Sequence, residues 1–258
     1  MKYESIEVTK ETNITIITIN RPHVRNALDS TSHIELAHAF DDFASDEHQW
    51  LAIITGAGDQ AFCAGHDLKQ PTGADAAPLP ATGFAGLVER FDLTKPVIAA
   101  VSGVCVGGGF EIALACDIVV ATQSAVFALP EPRVGLAALA GGILRLPQVI
   151  GLKQAMGMML TGRRVSAQEG LALGFVNEVV ERDAVAAARR WAGEILQCSP
   201  MAVRATKEVA LRGLARPLSE AFPEQADYPA VKAMWASQDR LEGPAAFAAK
   251  RPPQWKGR

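Results

Sequence analysis

The stretch AAVSGVCVGGGFEIALACDIVVA, residues 99–121, predicts a strand, a glycine turn, a helix and a second strand in quick succession. The first strand runs over Val97–Val101 and is followed by a turn at Gly103. A glycine run at 107–109 leads into a helix that opens at Phe110-Glu111, and an apolar strand covers Ile118–Ala121. This alternation of short strand and helix predicts an α/β fold.

Three consecutive glycines carry a cost, because glycine loses the most backbone entropy on folding. They are useful where the backbone must approach another group closely, and a helix N-terminus just beyond offers unpaired N–H groups to an anion. Glu111 would then be a carboxyl group beside an anion site. The alternative is a tight strand-to-helix turn in which Glu111 only complements the helix dipole. This segment alone leaves both readings open.

The composition is that of an ordinary globular protein. Of 258 residues, 49% are hydrophobic and 21% are charged, which excludes a disordered chain and allows one large domain or a domain with an appendage. A net charge of −3 gives no electrostatic footprint for nucleic acid or for an anionic membrane. We expect the partners to be small molecules or other copies of the chain.

The N-terminal residues MKYESIEVTKETN lack the pattern of a signal peptide, and no apolar run is long enough to span a membrane, so we expect a cytoplasmic protein. The cysteines, at positions 63, 105, 116 and 198, have no CxxC spacing and are interpreted as reduced core residues. His66-Asp67 has no partner at metal-ligand spacing, so no metal site is predicted.

The first half of the chain alternates strands and helices. Predicted elements are strands at Ile6–Val8, Ile14–Ile19, Leu51–Thr55 and Ala125–Ala128, a helix from Ser30 to about Ser45, and a helix over Phe84–Phe91. The unbroken apolar run of Leu51–Thr55 is typical of a strand buried on both faces. Residues 71–82, rich in proline and alanine, predict a mobile loop or lid.

A second glycine turn, in AFCAGHDLK at 61–69, repeats the pattern of the first and predicts a short helix after it. The backbone N–H of His66 could therefore lie near the first glycine run. Glu131 lies between Pro130 and Pro132, which fix the backbone and hold its carboxylate out of any helix or ladder. The alternatives are a His66 that only lines a pocket and a Glu131 that is an exposed loop residue.

The second half is predicted to be helical, over Gly151–Thr161, Ser166–Leu173, Asp183–Leu196, Pro200–Leu214, Leu218–Ala236 and Glu242–Lys250. We divide the chain into a catalytic domain, 1–198, built as a repeated ββα spiral, and a helical C-terminal region, 199–258. Apolar residues of that region pack either against another subunit or back onto their own domain: Met201, Val209, Leu211, Met234 and Trp235.

Taken together, the motifs resemble those of the crotonase superfamily, the enoyl-CoA hydratases and isomerases, over essentially the whole chain. They are NRPHVRNALD (20–29), AFCAGHDLK (61–69), VSGVCVGGGFEIALACDIVVA (101–121), FALPEPRVGLAALAGGILRLPQVIG (127–151), TGRRVSAQEGLALGFVNEVV (161–180) and EGPAAFAAKRPPQWKGR (242–258). The resemblance implies a crotonase-type spiral core, a C-terminal trimerisation region, and a homotrimer or a hexamer made of two trimers.

The resemblance also implies an acyl-CoA substrate whose thioester carbonyl binds in an oxyanion hole formed by the backbone N–H groups of His66 and Gly108. Glu111 would deprotonate the water that attacks the β-carbon, and Glu131 would deliver a proton to the α-carbon. No cofactor is implied, because coenzyme A is part of the substrate. His66 departs from the smaller residue frequent at this turn, and the loop at 71–82 and residues 135–142 should line the acyl end.

By the same resemblance, CoA contacts map onto His23, Val24, Arg25, Ala64, Asp67, Leu68 and Lys69, with Phe247 and Lys250 reaching in from a neighbouring subunit. Solvated surface charge or subunit packing is the alternative for each. The expected function is an enoyl-CoA hydratase. The alternatives are a carnitinyl-CoA dehydratase acting on crotonobetainyl-CoA, a Δ3,Δ2-enoyl-CoA isomerase, and a catalytically silent acyl-CoA-binding scaffold.

Overall fold

The computed structural model describes residues 2–70 and 77–258, so half of the predicted loop at 71–82 lies outside the described residues. Within these ranges the strands are β1 (Ile6–Glu11), β2 (Ile14–Ile19), β3 (Leu51–Gly56), β4 (Ala61–Cys63), β5 (Val97–Val101), β6 (Val104–Val106), β7 (Ile118–Thr122), β8 (Val126–Ala128), β9 (Val165–Ser166) and β10 (Glu178–Val180). The α-helices are α1 (Ser30–Ser45), α2 (Gly108–Ala115), α3 (Gly142–Ile150), α4 (Leu152–Thr161), α5 (Ala167–Leu173), α6 (Ala184–Leu196), α7 (Pro200–Gly213), α8 (Leu218–Glu224), α9 (Pro229–Ala236) and α10 (Asp239–Ala248).

The strands form two sheets, and from β3 to β8 the chain alternates between them. One sheet has the order β1-β2-β3-β5-β7-β10, and the other has the order β4-β6-β8-β9. Each pair of consecutive strands, β3 and β4, then β5 and β6, then β7 and β8, contributes one strand to each sheet. The pairings within β2-β3-β5-β7-β10 and within β4-β6-β8 are parallel. The expected α/β fold with a repeated unit is confirmed.

The central strands are buried on both faces, as their unbroken apolar runs predict. Because successive side chains of a strand point to opposite faces, β5 divides its residues between two cores. Ala99 and Val101 face the main core, which includes α1 and α2, whereas Ile98 and Ala100 pack against the alanine face of α6. Burial of one such isoleucine contributes about 1.5–3 kcal/mol. The large sheet is therefore buried between two cores, and the glycine turns at Gly65 and at 107–109 follow β4 and β6 of the small sheet.

The short strands β4, β6, β9 and β10, and the helix α3, are absent from the sequence predictions, whereas the strand predicted at Ala125–Ala128 is confirmed as β8. β4 and β6 have three residues each and pair with each other in parallel, so they depend on a partner about 40 residues away along the chain. α3 follows Gly141, whose φ of 102° places it in a conformation that favours glycine. The helix predicted to open at Phe110 begins two residues earlier, at Gly108.

The helix predicted over Phe84–Phe91 is wrong. Only a 3-10 turn, Phe84–Gly86, forms there, and both Ala85 and Gly86 have positive φ values of 56° and 62°. A Cβ at Gly86 would lie 2.2 Å from the Cα of Ala37, so the turn packs directly on the backbone of α1. This tertiary contact overrides the local helical pattern. The short helix predicted after His66 is also wrong, because Leu68 and Lys69 form a turn.

The helix predicted over Leu218–Ala236 is interrupted. α8 ends at Glu224, and a 3-10 turn follows before α9 begins at Pro229. Proline disfavours a helical residue before it, and Tyr228 is extended accordingly. The helices of this region contain both kinds of apolar residue that were expected. Val209 and Met234 pack inward beside Tyr228, whereas Leu211 and Trp235 are more than half exposed. Among the described helices, none is both long and apolar enough to cross a membrane.

Candidate active site

The glycine run at 107–109 lets the start of α2 pack directly against the Phe84 ring and the backbone of Cys63. A Cβ at Gly108 would lie 2.4 Å from the ring of Phe84, and a Cβ at Gly109 would lie 2.0 Å from the carbonyl oxygen of Cys63. Real Cβ atoms do not make such contacts, so only glycine permits this packing. The close-approach reading of the glycines is therefore the one that the geometry supports.

The loop that contains His66 is joined to the first loop of the chain by a short parallel bridge. The Leu28 N–H donates to the Gly65 carbonyl, and the Asp67 N–H donates to the Leu28 carbonyl, each at 2.8 Å. In a parallel bridge these bonds go to the residues before and after His66, so the N–H of His66 itself points away from Leu28. It is left available for another acceptor.

The two predicted oxyanion donors lie on adjoining turns. A Cβ at Gly65, whose φ is +90°, would lie 3.0 Å from the backbone nitrogen of Gly108 and 3.1 Å from the Val106 carbonyl. In the part of the chain that the structure describes, neither the His66 N–H nor the Gly108 N–H has a hydrogen-bond acceptor. Unpaired backbone donors are unusual in protein interiors. Two on neighbouring turns form a ready site for a negatively charged oxygen.

Glu111, in the first turn of α2, is a buried carboxyl group held by a backbone hydrogen bond. It is 3% exposed, and its Oε1 accepts a 2.8 Å hydrogen bond from the Gly142 N–H at the start of α3. Burial raises the pKa of Glu111 to about 7, and the nearby Glu131 adds to the rise, whereas the Gly142 N–H and the Arg145 guanidinium oppose it. A carboxyl group in this range can accept or release a proton at neutral pH.

Glu131 is brought to the same turn from another part of the chain. It begins a 3-10 helix, Glu131–Val134, so the expectation that its prolines keep it out of any helix is wrong for this short helix. A Cβ at Gly107 would lie 2.8 Å from Glu131 Oε1. The Oε2 atom is buried and has no partner among the described residues, and burial raises the pKa of Glu131. An acidic group without a partner in a buried place favours proton transfer over a structural role.

An apolar cavity lies beside residues that flank the two glutamates. It has a volume of about 340 Å³ and is lined by Leu129, Pro132, Ala137, Ala138, Ile143, Pro147, Leu152, Met156, Met159 and Leu160. Leu129 also packs against Gly142, the residue that hydrogen-bonds Glu111. Two alanines of the 135–142 segment, predicted to line an acyl group, thus lie in its wall. The cavity has the apolar character that an acyl chain needs.

The predicted CoA contacts at 23–25 and 64–69 lie on the two loops that the Leu28–His66 bridge joins. Val24 is half-buried, His23, Arg25, Leu68 and Lys69 are exposed, and the Ala64 N–H donates to the Arg25 carbonyl at 3.1 Å. Asp67 is different, because its buried carboxylate lies 3.5 Å from the Arg21 guanidinium and accepts from the Lys69 N–H. The backbone N–H of Asp67 donates to the Leu28 carbonyl and its carbonyl accepts from the Gln70 N–H, each at 2.8 Å, so Asp67 shapes the loop rather than offering a free group to a ligand.

Sequence reasoning missed a group of arginines beside these residues. Arg25 and Ala64 line a cavity of about 270 Å³ together with Arg133 and Arg164. Three guanidinium groups around one cavity suit phosphate groups, which they can bind through paired N–H donors. Arg133 and Arg164 come from segments more than 100 residues beyond Arg25. The sequence shows that these residues are charged, but it does not show that they line one cavity with Arg25.

The last two predicted contacts, Phe247 and Lys250, lie at the end of α10. Phe247 is 87% exposed, and Lys250, which has a φ of 51°, donates its N–H to the Phe247 carbonyl. An exposed phenylalanine next to a lysine is a surface that another molecule can cover. In the described ranges, no three His, Cys, Asp or Glu side chains come together as a set that could hold a metal ion.

Comparison with known proteins agrees with this arrangement. The chain is 43% identical over 262 residues to a carnitinyl-CoA dehydratase of Salmonella arizonae, covering 98% of this chain and 99% of the relative. It is 42% identical over 263 residues to a carnitinyl-CoA dehydratase of Escherichia coli, covering 99% of both. The solved structure of the enoyl-CoA hydratase EchA1 from Mycobacterium marinum matches with a TM-score of 0.92 at 39% identity, over 98% of this chain and 99% of that one.

A family model described as enoyl-CoA hydratase/isomerase matches residues 9–258. The match includes both glycine turns, both glutamates and the C-terminal helices, so it extends over the same motifs that carried the resemblance in the sequence. The relatives that are dehydratases and hydratases share the hydro-lyase type of reaction. The chain therefore belongs to the enoyl-CoA hydratase/isomerase family of the crotonase superfamily.

Proposed function

We propose that this protein is a hydro-lyase that adds water across the 2,3 double bond of an enoyl-CoA thioester and, in reverse, eliminates water from the 3-hydroxyacyl-CoA. The observation that carries the proposal is that the buried Glu111 and the half-buried Glu131, both with raised pKa values, lie around one glycine turn. Addition of water needs a base and an acid on the two carbons of the double bond. Isomerisation needs only one carboxylate that moves a proton.

The oxyanion site prepares the substrate for this chemistry. Polarisation of the thioester carbonyl makes the β-carbon of an enoyl-CoA electrophilic and the α-hydrogen of the hydrated product acidic. In both directions negative charge collects on the carbonyl oxygen as an enolate. The N–H groups of His66 and Gly108 would stabilise that charge, and removal of one such donor in other enzymes costs about 2.7–4 kcal/mol in the transition state.

The two glutamates divide the proton transfers. One oxygen of Glu111 is occupied by the Gly142 N–H, which orients the carboxylate and leaves the other oxygen for a water molecule. Glu111 takes a proton from that water as its oxygen bonds to the β-carbon. Glu131, whose Oε2 has no partner among the described residues, delivers a proton to the α-carbon. The pKa of Glu111, raised to about 7, lies in the neutral range in which acid-base catalysis is efficient, and the raised pKa of Glu131 favours the protonated form that donates a proton.

The CoA moiety would be held at the outer edge of the same loops. Arg25, Arg133 and Arg164 provide positive charge for its phosphates. Phe247 and Lys250 would cover the adenosine from a neighbouring subunit, which requires the homotrimer or hexamer expected for this family. The exposed apolar residues of α7 to α10 supply the surface for that assembly. No bound cofactor takes part in the proposed reaction.

Two substrate classes fit the reaction. The names of the 43%-identical relatives favour carnitinyl-CoA and its dehydration product crotonobetainyl-CoA, and they make this pair the first candidate substrate. Straight-chain enoyl-CoA thioesters are the second candidate, and the apolar cavity of about 340 Å³ favours them. The difference lies in a trimethylammonium group, which proteins bind with aromatic or acidic side chains.

A panel of acyl-CoA thioesters tests the proposal. It includes crotonobetainyl-CoA, short and longer straight-chain enoyl-CoAs, and a Δ3-enoyl-CoA, each incubated in ¹⁸O-labelled water and analysed by mass spectrometry. A hydro-lyase places one solvent oxygen on the β-carbon of its preferred substrate. A product that moves the double bond without ¹⁸O would identify an isomerase. Tight binding without turnover of any thioester would support the scaffold alternative and refute the proposal.

A further inference from the structure

His33 occupies an unusual position on α1, directly behind the proposed oxyanion site. The residue is 4% exposed, and its ring Nδ1 accepts a 3.1 Å hydrogen bond from the Ala85 N–H. His33 and Ala37 are four residues apart, so they lie on the same face of α1, and both contact the turn Phe84–Gly86. Ala85 has a φ of 56°, a conformation that is strained for alanine and that this hydrogen bond helps to hold.

The ring of His33 contacts the supports of both oxyanion donors. On one side it packs edge-on against Phe84, with ring centroids 4.4 Å apart, and Phe84 lies directly against Gly108. On the other side it is nearly parallel to the ring of His66, at 10° and 6.4 Å between centroids. The His33 side chain thus lies between His66, which carries one donor, and Phe84, which packs against Gly108, the residue that carries the other.

The chemistry of the ring is defined by its surroundings. An Nδ1 atom that accepts a hydrogen bond has no hydrogen, so the neutral ring carries its hydrogen on Nε2. Burial lowers the pKa of His33 to about 4, which keeps the ring neutral near pH 7. The Nε2 atoms of His33 and His66 are both buried and have no partner among the described residues. Burial of an Nε2–H group without an acceptor costs free energy, and a leucine at position 33 would avoid that cost. Packing alone therefore does not account for a histidine here.

We propose that His33 is a positioning residue of the oxyanion hole, which couples the His66 turn to the Phe84 turn and thereby sets the distance and direction of the two donors. This inference rests on the proposed function of the site. His33 touches neither substrate nor reacting atoms. Its effect is on the donors, whose alignment with the developing charge determines how much they stabilise it.

Three substitutions separate the two contacts of the ring. His33→Asn places an amide oxygen where Nδ1 lies, so it keeps the acceptor for Ala85 and loses the ring. His33→Phe keeps a ring between Phe84 and His66 and loses the acceptor. His33→Leu loses both. His48→Asn, at an exposed site beyond α1, is the matched control for a histidine replacement.

The readouts are kcat and KM for the best substrate of the panel, and the infrared stretching frequency of a ¹³C-labelled thioester carbonyl in a bound saturated acyl-CoA. We expect His33→Leu to lower kcat about tenfold to a hundredfold, with KM changed less than about threefold, and to reduce the downward shift of the carbonyl frequency. His33→Asn and His33→Phe should each lose less than His33→Leu, and His48→Asn should match the unchanged protein.

The outcomes distinguish this inference from the proposed function. If the unchanged protein shows no carbonyl shift on binding, the oxyanion site itself is wrong. If it shows the shift and every folded His33 variant shows the same shift and kcat, the positioning role is refuted and the proposed function stands. A variant whose melting temperature falls while kcat per folded protein is retained also refutes it. If His33→Leu does not fold, His33→Asn and His33→Phe carry the same test.

Discussion

Glu111 supports a quantitative prediction about stability as well as catalysis. Its pKa is raised from 4.5 to about 7 in the folded protein, chiefly by burial. The folded state therefore binds a proton more tightly than the unfolded state, and this contribution to stability is present below about pH 4.5 and is lost as the pH rises through about 7. At about 1.4 kcal/mol for each pKa unit, the loss is on the order of 3 kcal/mol.

Glu111→Gln should abolish this dependence, because glutamine does not titrate and its amide oxygen can still accept from the Gly142 N–H. The assay is urea denaturation of both proteins at one protein concentration and several pH values. The stability of the variant relative to the unchanged protein should rise by about 2–3 kcal/mol between about pH 4.5 and about pH 7. Glu220→Gln, on the exposed surface of α8, controls for the substitution. A constant difference across this range would refute the buried, raised-pKa account of Glu111.

Two further predictions address the glycine turn and the arginine cavity. Gly109→Ala should lower the melting temperature and abolish activity, because its Cβ would lie 2.0 Å from the Cys63 carbonyl oxygen. The control is Gly193→Ala, where a Cβ meets nothing within 4 Å and activity should be unchanged. Equal loss of activity in both variants would refute the argument. Arg164→Ala should raise KM for CoA thioesters about tenfold or more with kcat nearly unchanged, as expected for loss of a charged hydrogen bond to phosphate. Steady-state kinetics tests this against Arg182→Ala, whose side chain is 88% exposed, and equal KM values for the two variants would contradict it.

Much of the fold was predictable because its signals are local. The apolar runs of β3 and β5 are long enough to identify strands buried on both faces, and apolar residues at helical spacing identify α1, which begins at Ser30 as predicted. The glycine run at 107–109 allowed either a close backbone approach or a simple turn, and only the contacts of Gly108 and Gly109 favour the first. Glu111 could be selected because it follows that run at the start of a helix.

The rest depends on contacts between distant parts of the chain. The Phe84–Gly86 turn replaces a predicted helix because Gly86 packs on the backbone of α1, which no local pattern encodes. Nothing in the local sequence distinguishes His33 from the other polar residues of α1, and only the fold places its ring between Phe84 and His66. Arg133 and Arg164 join Arg25 only through the spiral arrangement of the repeats. Such contacts between distant residues follow from the topology of the fold rather than from the local residue pattern.

The most direct test of the proposed two-carboxylate mechanism is the kcat for hydration by Glu111→Gln, Glu131→Gln and the double variant, measured on the preferred substrate of the panel. General acid-base catalysis contributes about 10²–10⁴ in rate. Each single variant should lose activity in that range with KM changed little, and the double variant should lose little more, because one proton transfer without the other does not complete the reaction. Retention of the original kcat by either single variant would contradict the mechanism.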